Sequence, residues 1–120
     1  MGAIRIKRIY EPPAPSDGKR VLVDRIWPRG VSKDAAKLDL WLKAIAPTTA
    51  LRKWFGHEPS RFDAFRQRYC DELKANTDAV AKLRRIATRS DVTLLYAAHN
   101  EHVNHAMVLA EYLARGEQTP

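Results

Sequence analysis

Val21-Leu22-Val23-Asp24-Arg25-Ile26-Trp27-Pro28-Arg29-Gly30 runs directly from a buried-strand pattern into two arginines flanking a Trp-Pro step. Consecutive branched apolar residues suit a strand that is covered on both faces. Its carboxyl end carries the chemistry of a rim. Arginine carries a planar fork of donors that matches phosphate or carboxylate, tryptophan offers a face for stacking, and Pro28 with Gly30 fixes the turn. The segment reads as a strand that delivers cations to a sheet edge where something anionic binds.

On its N-terminal side, the stretch around Ile4 to Ile9 alternates Ile4, Ile6 and Arg8 with Arg5 and Lys7, which predicts a half-exposed strand near an edge. Glu11-Pro12-Pro13-Ala14-Pro15-Ser16-Asp17-Gly18 separates it from the strand of Arg20 to Asp24, because its prolines fit neither a central strand nor a helix interior. Val92-Thr93-Leu94-Leu95-Tyr96-Ala97 is a third strand, with the apolar character of one covered by helices on both faces.

Between the second and third strands the periodicity is helical. Leu38, Trp41, Leu42 and Ile45 stand at i, i+3, i+4 and i+7, predicting a helix that Pro47 ends, with Thr48 or Thr49 capping the next. Ala50 to Phe55 makes a short helix stopped by Gly56, and Pro59 opens another with Phe62, Phe65, Tyr69 and Leu73 on one stripe. After a break near Asn76-Thr77 come Ala79, Val80, Leu83, Ile86 and Ala87. The last helix, carrying Val103, Ala106, Met107, Ala110, Leu113 and Ala114 in register, is apolar almost all round and must pack deeply.

Buried strands joined by a long helical crossover pair in parallel with a right-handed connection. The expected fold is therefore α/β, a small mainly parallel sheet flanked by helices, in one domain over residues 1–120. Ligands of such sheets bind beyond the carboxyl ends of the strands. This topology puts Arg25-Ile26-Trp27-Pro28-Arg29 and Ala98-His99-Asn100-Glu101-His102 on one rim.

The net charge is +7, and residues 1–37 hold nine Lys/Arg against four Asp/Glu, whereas residues 92–120 hold Arg115 against Glu101, Glu111 and Glu117. That surplus attracts anions and, at low salt, nucleic acid; it also serves simply as a solvated surface. The one cysteine, Cys70, excludes an intrachain disulfide, and no apolar run approaches the roughly 20 residues of a membrane span. With no signal-peptide pattern at the N-terminus, a cytoplasmic location is expected.

On the rim, Arg25, Arg29 and Lys33 form a candidate clamp, competing with a purely structural use of Asp24 and Arg25 to fix the turn. Trp27 either stacks on a ligand or closes the core; Trp54 and Phe55 are adjacent on a short helix, so one of them is available to line a pocket. His57, in a loop after a cap glycine, is the candidate acid–base residue. His99, His102 and His105 with Glu101 suggest a metal, but the closest pairs are i, i+3 rather than the i, i+4 of His-Glu-x-x-His, so no metal is expected. These histidines, with Asn100 or Asn104, read instead as capping groups. No Gly-x-Gly-x-x-Gly, P-loop or Gly-x-Ser-x-Gly pattern is present, and Cys70 falls within a helix, away from any nucleophile loop.

The decapeptide from Val21 to Gly30, Trp41, Leu51-Arg52-Lys53-Trp54-Phe55-Gly56-His57-Glu58-Pro59, the Phe65 to Leu73 helix and Leu94-Leu95-Tyr96-Ala97-Ala98 together resemble the YeaO-like branch of the domain-of-unknown-function 488 family, over nearly the whole chain. The resemblance implies a small α/β protein of bacterial or archaeal type with no established activity. It carries the family's Arg and Trp positions onto Arg25, Trp27, Arg29, Arg52, Trp54 and His57. The family's His-Asn pair falls at 103 and 104, where this chain has Val103-Asn104 after His102; Asn104 is retained and stays a rim candidate.

Two functions fit. In one, a small anionic ligand, phosphate- or carboxylate-bearing, sits at the strands' carboxyl ends, with His57 moving a proton if the site is an enzyme's. In the other, the basic surface makes a nucleic-acid-binding or regulatory module, although no reader motif is recognisable. The last helix or the edge of the first strand offers a face for a homodimer.

Overall fold

Val92–Tyr96 is buried along its whole length, and the sheet is built around it. The computed structural model describes residues 2–116. Among these the sheet has four parallel strands: β1 (Ile4–Arg8), β2 (Lys19–Leu22), β3 (Leu40–Trp41) and β4 (Val92–Tyr96), in the order β1-β4-β2-β3. Ile6 lies opposite Leu94 on one side of β4 and Val21 opposite Leu94 on the other. The helices are α1 (Lys33–Ala36), α2 (Thr49–Phe55), α3 (Phe62–Ala75), α4 (Thr77–Arg89) and α5 (His105–Gly116). The small, mainly parallel α/β sheet expected from the sequence is present.

Alternation along the strands divides the core in two. Val21, Val92, Leu94 and Tyr96 face the larger cluster, where Leu51, Phe55, Phe65, Tyr69, Leu83 and Leu109 from α2 to α5 pack against the sheet. Leu22 and Leu95 point the other way, onto Ile9, Ala36, Trp27 and Trp41. This second face is covered by the single turn of α1 and by loops, not by helices of full length, so the all-apolar pattern of β4 reports burial on both faces without saying what buries it.

The predicted helix through Leu38, Trp41, Leu42 and Ile45 is not formed. Lys37 takes a left-handed conformation (φ 48°) that ends α1, and Leu40 and Trp41 then pair with Val21 and Leu22 as an edge strand. Asp39 N–H donates to the Arg20 carbonyl and Leu42 N–H to that of Leu22, extending the ladder at both ends. A 3-10 turn at Lys43–Ile45 comes next. A two-residue strand running into a tight turn sends Leu42 and Ile45 to one cluster and Leu38 and Trp41 to the other. Their spacing imitates a helical stripe although two faces are being served.

Some of the remaining boundaries match the expected signals and two shift: Pro59 opens a 3-10 turn (Pro59–Arg61) before α3 begins at Phe62, and α5 begins at His105, leaving Val103 outside it. Thr48 caps α2, its Oγ1 accepting from Leu51 N–H at 3.2 Å, and Gly56 closes it at φ 54°. Asn76 separates α3 from α4. The apolar α5 is anchored by Ala106, Val108, Leu109 and Leu113, all buried.

Residues 9–18 cross β4 to connect its two neighbours, and a buried ion group holds them there. Asp17 accepts from Lys7 Nζ at 3.0 Å, Arg20 Nη1 at 2.6 Å and Ala14 N–H at 3.0 Å, while Arg20 also donates to the Ala36 carbonyl at 2.8 Å. Burial works to raise the Asp17 carboxyl, but the Ala14 amide and the Lys7 and Arg20 side chains prevail and hold it below its ordinary value. Gly18 ends this crossing at φ 64°, where an added Cβ would meet the Asp91 carbonyl oxygen at 2.3 Å. Only glycine fits there.

Candidate functional site

The ladder between β2 and β4 stops one rung early. Lys19 N–H donates to the Asp91 carbonyl and Val23 N–H to that of Leu95 at 3.0 Å; the same pattern continued would take Ala97 N–H to the Val23 carbonyl. Instead Asp24 Oδ2 accepts from Ala97 N–H at 3.0 Å, and the Val23 carbonyl accepts from His105 Nε2 at 3.0 Å. Two side chains thus replace a backbone bond, the strands part at their carboxyl ends, and a cavity of about 1040 Å³ opens there.

Most of the lining comes from three segments, residues 24–29 after β2, Arg52, Lys53, Phe55 and His57 at the end of α2, and residues 97–100 and 103–105 between β4 and α5, with Tyr10, Ala46, Pro47, Thr49 and Phe65 completing it. Arg25, Trp27, Arg29, Arg52, His57 and Asn104 all line it. Six of the eight candidate residues thus meet in one place; strand-to-helix topology implies this for Arg25, Trp27 and Arg29 and not for Arg52 and His57, and the six do not share one job.

Arg25 is committed to structure. Its Nε donates to the Pro47 carbonyl at 3.2 Å and its Nη2 to that of Ala46 at 3.1 Å, tying the loop after β2 to the segment entering α2. Trp27 is half-buried; its Nε1 donates to the Val31 carbonyl at 2.7 Å, and its ring meets Trp41 edge-on at 5.2 Å. Trp41 Nε1 in turn donates to the Asp24 carbonyl at 2.7 Å. Tyr10, from the end of β1, completes the frame by donating its hydroxyl to the Arg29 carbonyl at 2.9 Å. The rim loop is thus held by bonds from four directions before any ligand arrives.

Arg29 and Arg52 are exposed, and their guanidinium groups make no hydrogen bond or ion pair among the described residues. His57 is exposed as well and has φ 57°, a left-handed conformation in a residue with a Cβ. Its ring lies 6.2 Å from that of Phe55, on which Phe65 stacks at 4.4 Å. Phe55 and Phe65 also line the cavity, so an apolar wall stands beneath the cationic lip. Asn104 is buried and caps α5, its Oδ1 accepting from Met107 N–H at 2.8 Å and its Nδ2 donating to the Asn100 carbonyl at 2.9 Å. Asn100 Oδ1 accepts from His102 and Val103 N–H, so both asparagines do the capping work expected of them.

Lys33 and Trp54 lie outside the lining. Val31 turns into the Trp27–Trp41 cluster and takes the chain off the rim before Lys33 opens α1. Trp54 is flanked by Arg68 and Arg61, at 4.1 and 5.7 Å from its ring, and its carbonyl accepts from Arg61 Nη1 at 2.6 Å. A surface cation–π stack occupies it.

Of the three histidines, His99 and His105 line the cavity and His102 does not. Among the described residues no group of three His, Cys, Asp or Glu side chains stands close enough to hold a metal ion. Cys70 sits half-buried on α3, where burial pushes its thiol up, away from nucleophilic character.

The cavity also draws polar groups that sequence reasoning did not assign to a ligand site. Among them are Tyr10 after β1, Asp24 after β2, Lys53 on α2 and His105 at the start of α5. An aspartate directly after an apolar strand was a readable signal for Asp24, since a carboxylate at that place must find donors in the neighbouring strand-to-helix loop.

A family model described as "Inactive DUF488-N3 subclade" matches residues 3–119. The chain belongs to the DUF488 family. Within it the chain is YeaO-like, being 46% identical over 110 residues to the uncharacterised protein YeaO of Escherichia coli, an alignment covering 92% of this chain and 96% of YeaO. Uncharacterised proteins of Mycobacterium tuberculosis and Mycobacterium bovis share the same 46% identity over 110 residues, covering 92% of both chains. No solved structure matches the chain. No helix among the described residues of this DUF488 member is long and apolar enough to cross a membrane.

Proposed function

We propose that the protein binds a small organic anion, phosphate- or carboxylate-bearing, in the cavity beyond the carboxyl ends of β2 and β4. One observation carries this reading: Arg29 and Arg52, both free of protein partners among the described residues, border the same preformed cavity. Arg25 already gives two of its five N–H donors to backbone carbonyls, whereas Arg29 and Arg52 have their full fork available. The volume of about 1040 Å³ is at the upper end of what small-molecule sites use, and Ile26 stays 62% exposed on the lip, so the ligand has an apolar body as well as a charge.

The description of the matched subclade as inactive supports binding without turnover. His57 then serves as a donor to the anion, in place of the acid–base role its position first suggested. Isothermal titration with phenyl phosphate at physiological salt tests the reading. Saturable one-site binding is expected, weakened about a hundredfold or more when Arg29 and Arg52 are both changed to alanine, since each charge-assisted bond contributes about 1.5–3 kcal/mol. Binding unaffected by the double change would contradict it. A response confined to oligonucleotides and abolished by salt would return the protein to the nucleic-acid class.

A further inference from the structure

Asp24 and His105 meet at the missing rung of the sheet. His105 Nε2 lies 3.0 Å from the Val23 carbonyl oxygen and 3.1 Å from Asp24 Oδ1. A carbonyl and a carboxylate only accept, so Nε2 carries a ring hydrogen; the tautomer with that hydrogen alone has its lone pair on Nδ1. The N–H is aligned on Val23. Asp24 Oδ1 lies beside it, buried and without a hydrogen bond of its own, close enough to polarise the ring through its charge. Among the described residues no group donates to Nδ1, and His105 lines the cavity.

We infer that His105 Nδ1, its tautomer fixed by Val23 and Asp24, is the acceptor for a hydroxyl or N–H on the bound molecule, so that the ligand is an organic anion with a donor group apart from its charge. This rests on the cavity being an anion site. Cations occupy the lip at Arg29 and Arg52, Phe55 and Phe65 form an apolar wall, and the Asp24–His105 pair supplies the polar contact. A molecule with a charged group, an apolar body and a donor satisfies all three. A bare inorganic anion satisfies the first alone.

The test compares phenyl phosphate with 4-hydroxyphenyl phosphate, which differ by one donor. Wild-type protein should bind the hydroxylated probe roughly three- to tenfold more tightly, the span of one neutral hydrogen bond. His105→Phe should abolish that preference, so that the variant binds the two probes with equal affinity. Nitrogen-15 spectra of the wild-type imidazole provide a reading independent of whether the variant folds. They should show Nε2 protonated and Nδ1 bare, with the Nδ1 signal moving on addition of 4-hydroxyphenyl phosphate and not of phenyl phosphate. A hydrogen on Nδ1, or equal affinity for the two probes, overturns the inference and leaves the anion site standing. Failure of both probes to bind overturns the anion site and this inference with it.

Discussion

Arg25 Nη2 donates to the Ala46 carbonyl at 3.1 Å, so a residue whose sequence context reads as an anion clamp works as a clasp between two loops. Its Nε holds Pro47 in the same way. The cation nearest the strand is therefore structural, and in the proposed anion site ligand contact falls to Arg29 and Arg52. Arg25→Ala should cost about 2 kcal/mol or more in urea unfolding, by leaving two carbonyls without their charged donor, whereas Arg29→Ala should stay within about 0.5 kcal/mol of wild type. Equal losses at both positions would remove the distinction.

His57 holds φ 57° directly after Gly56 at φ 54°, two successive left-handed residues at the cavity lip. A Cβ in that conformation costs roughly 1–2 kcal/mol, so His57→Gly should be more stable than His57→Ala by about 1 kcal/mol. Both substitutions should weaken phenyl phosphate binding equally, since both delete the imidazole. Thermal unfolding and titration of the two variants side by side check both halves.

Parallel strands, the helix caps at Thr48 and Gly56 and the meeting of Arg25, Trp27 and Arg29 with the loop after β4 are legible in periodicity and strand-to-helix topology, whereas Arg52 enters through the family resemblance and the arrival of α2's end at the same rim is not read from the chain. β3 is not, because two residues are too few to show a period of two, and the turn after it restores a helical spacing by accident. Which arginine is free to bind also cannot be read from the chain. That depends on the Ala46 and Pro47 carbonyls, over twenty residues away in sequence, reaching Arg25 and not Arg29. His105 is visible as a residue, but its role depends on a ladder bond the fold omits.

Asp17 sets a pH dependence unrelated to the cavity. Its carboxyl is held below the ordinary value of 3.8 in the folded protein, so its contribution is complete above that value and is lost as pH falls through the lower folded value. Asp17→Asn should lower stability at neutral pH, by leaving Arg20 and Lys7 short of a charged acceptor, and should flatten the decline in melting temperature below about pH 4. An unchanged acid slope would show that other carboxylates set it.

Lys33 and Trp54 should be silent in binding. Lys33→Ala and Trp54→Leu are each expected to leave phenyl phosphate affinity within about twofold of wild type, because neither side chain lines the cavity. A larger loss from Trp54→Leu would mean that the Arg61–Trp54–Arg68 stack reaches the ligand after all.

A backbone and arginine side-chain NMR titration with phenyl phosphate at physiological salt probes the anion site at the level of single residues. Binding at the rim predicts saturable shifts concentrated in residues 24–31, 52–57 and 97–105, with the Nε–H signals of Arg29 and Arg52 moving and that of Arg25 staying with its carbonyls. Shifts scattered over the exposed basic residues of α3 and α4, or none at the rim, would contradict it.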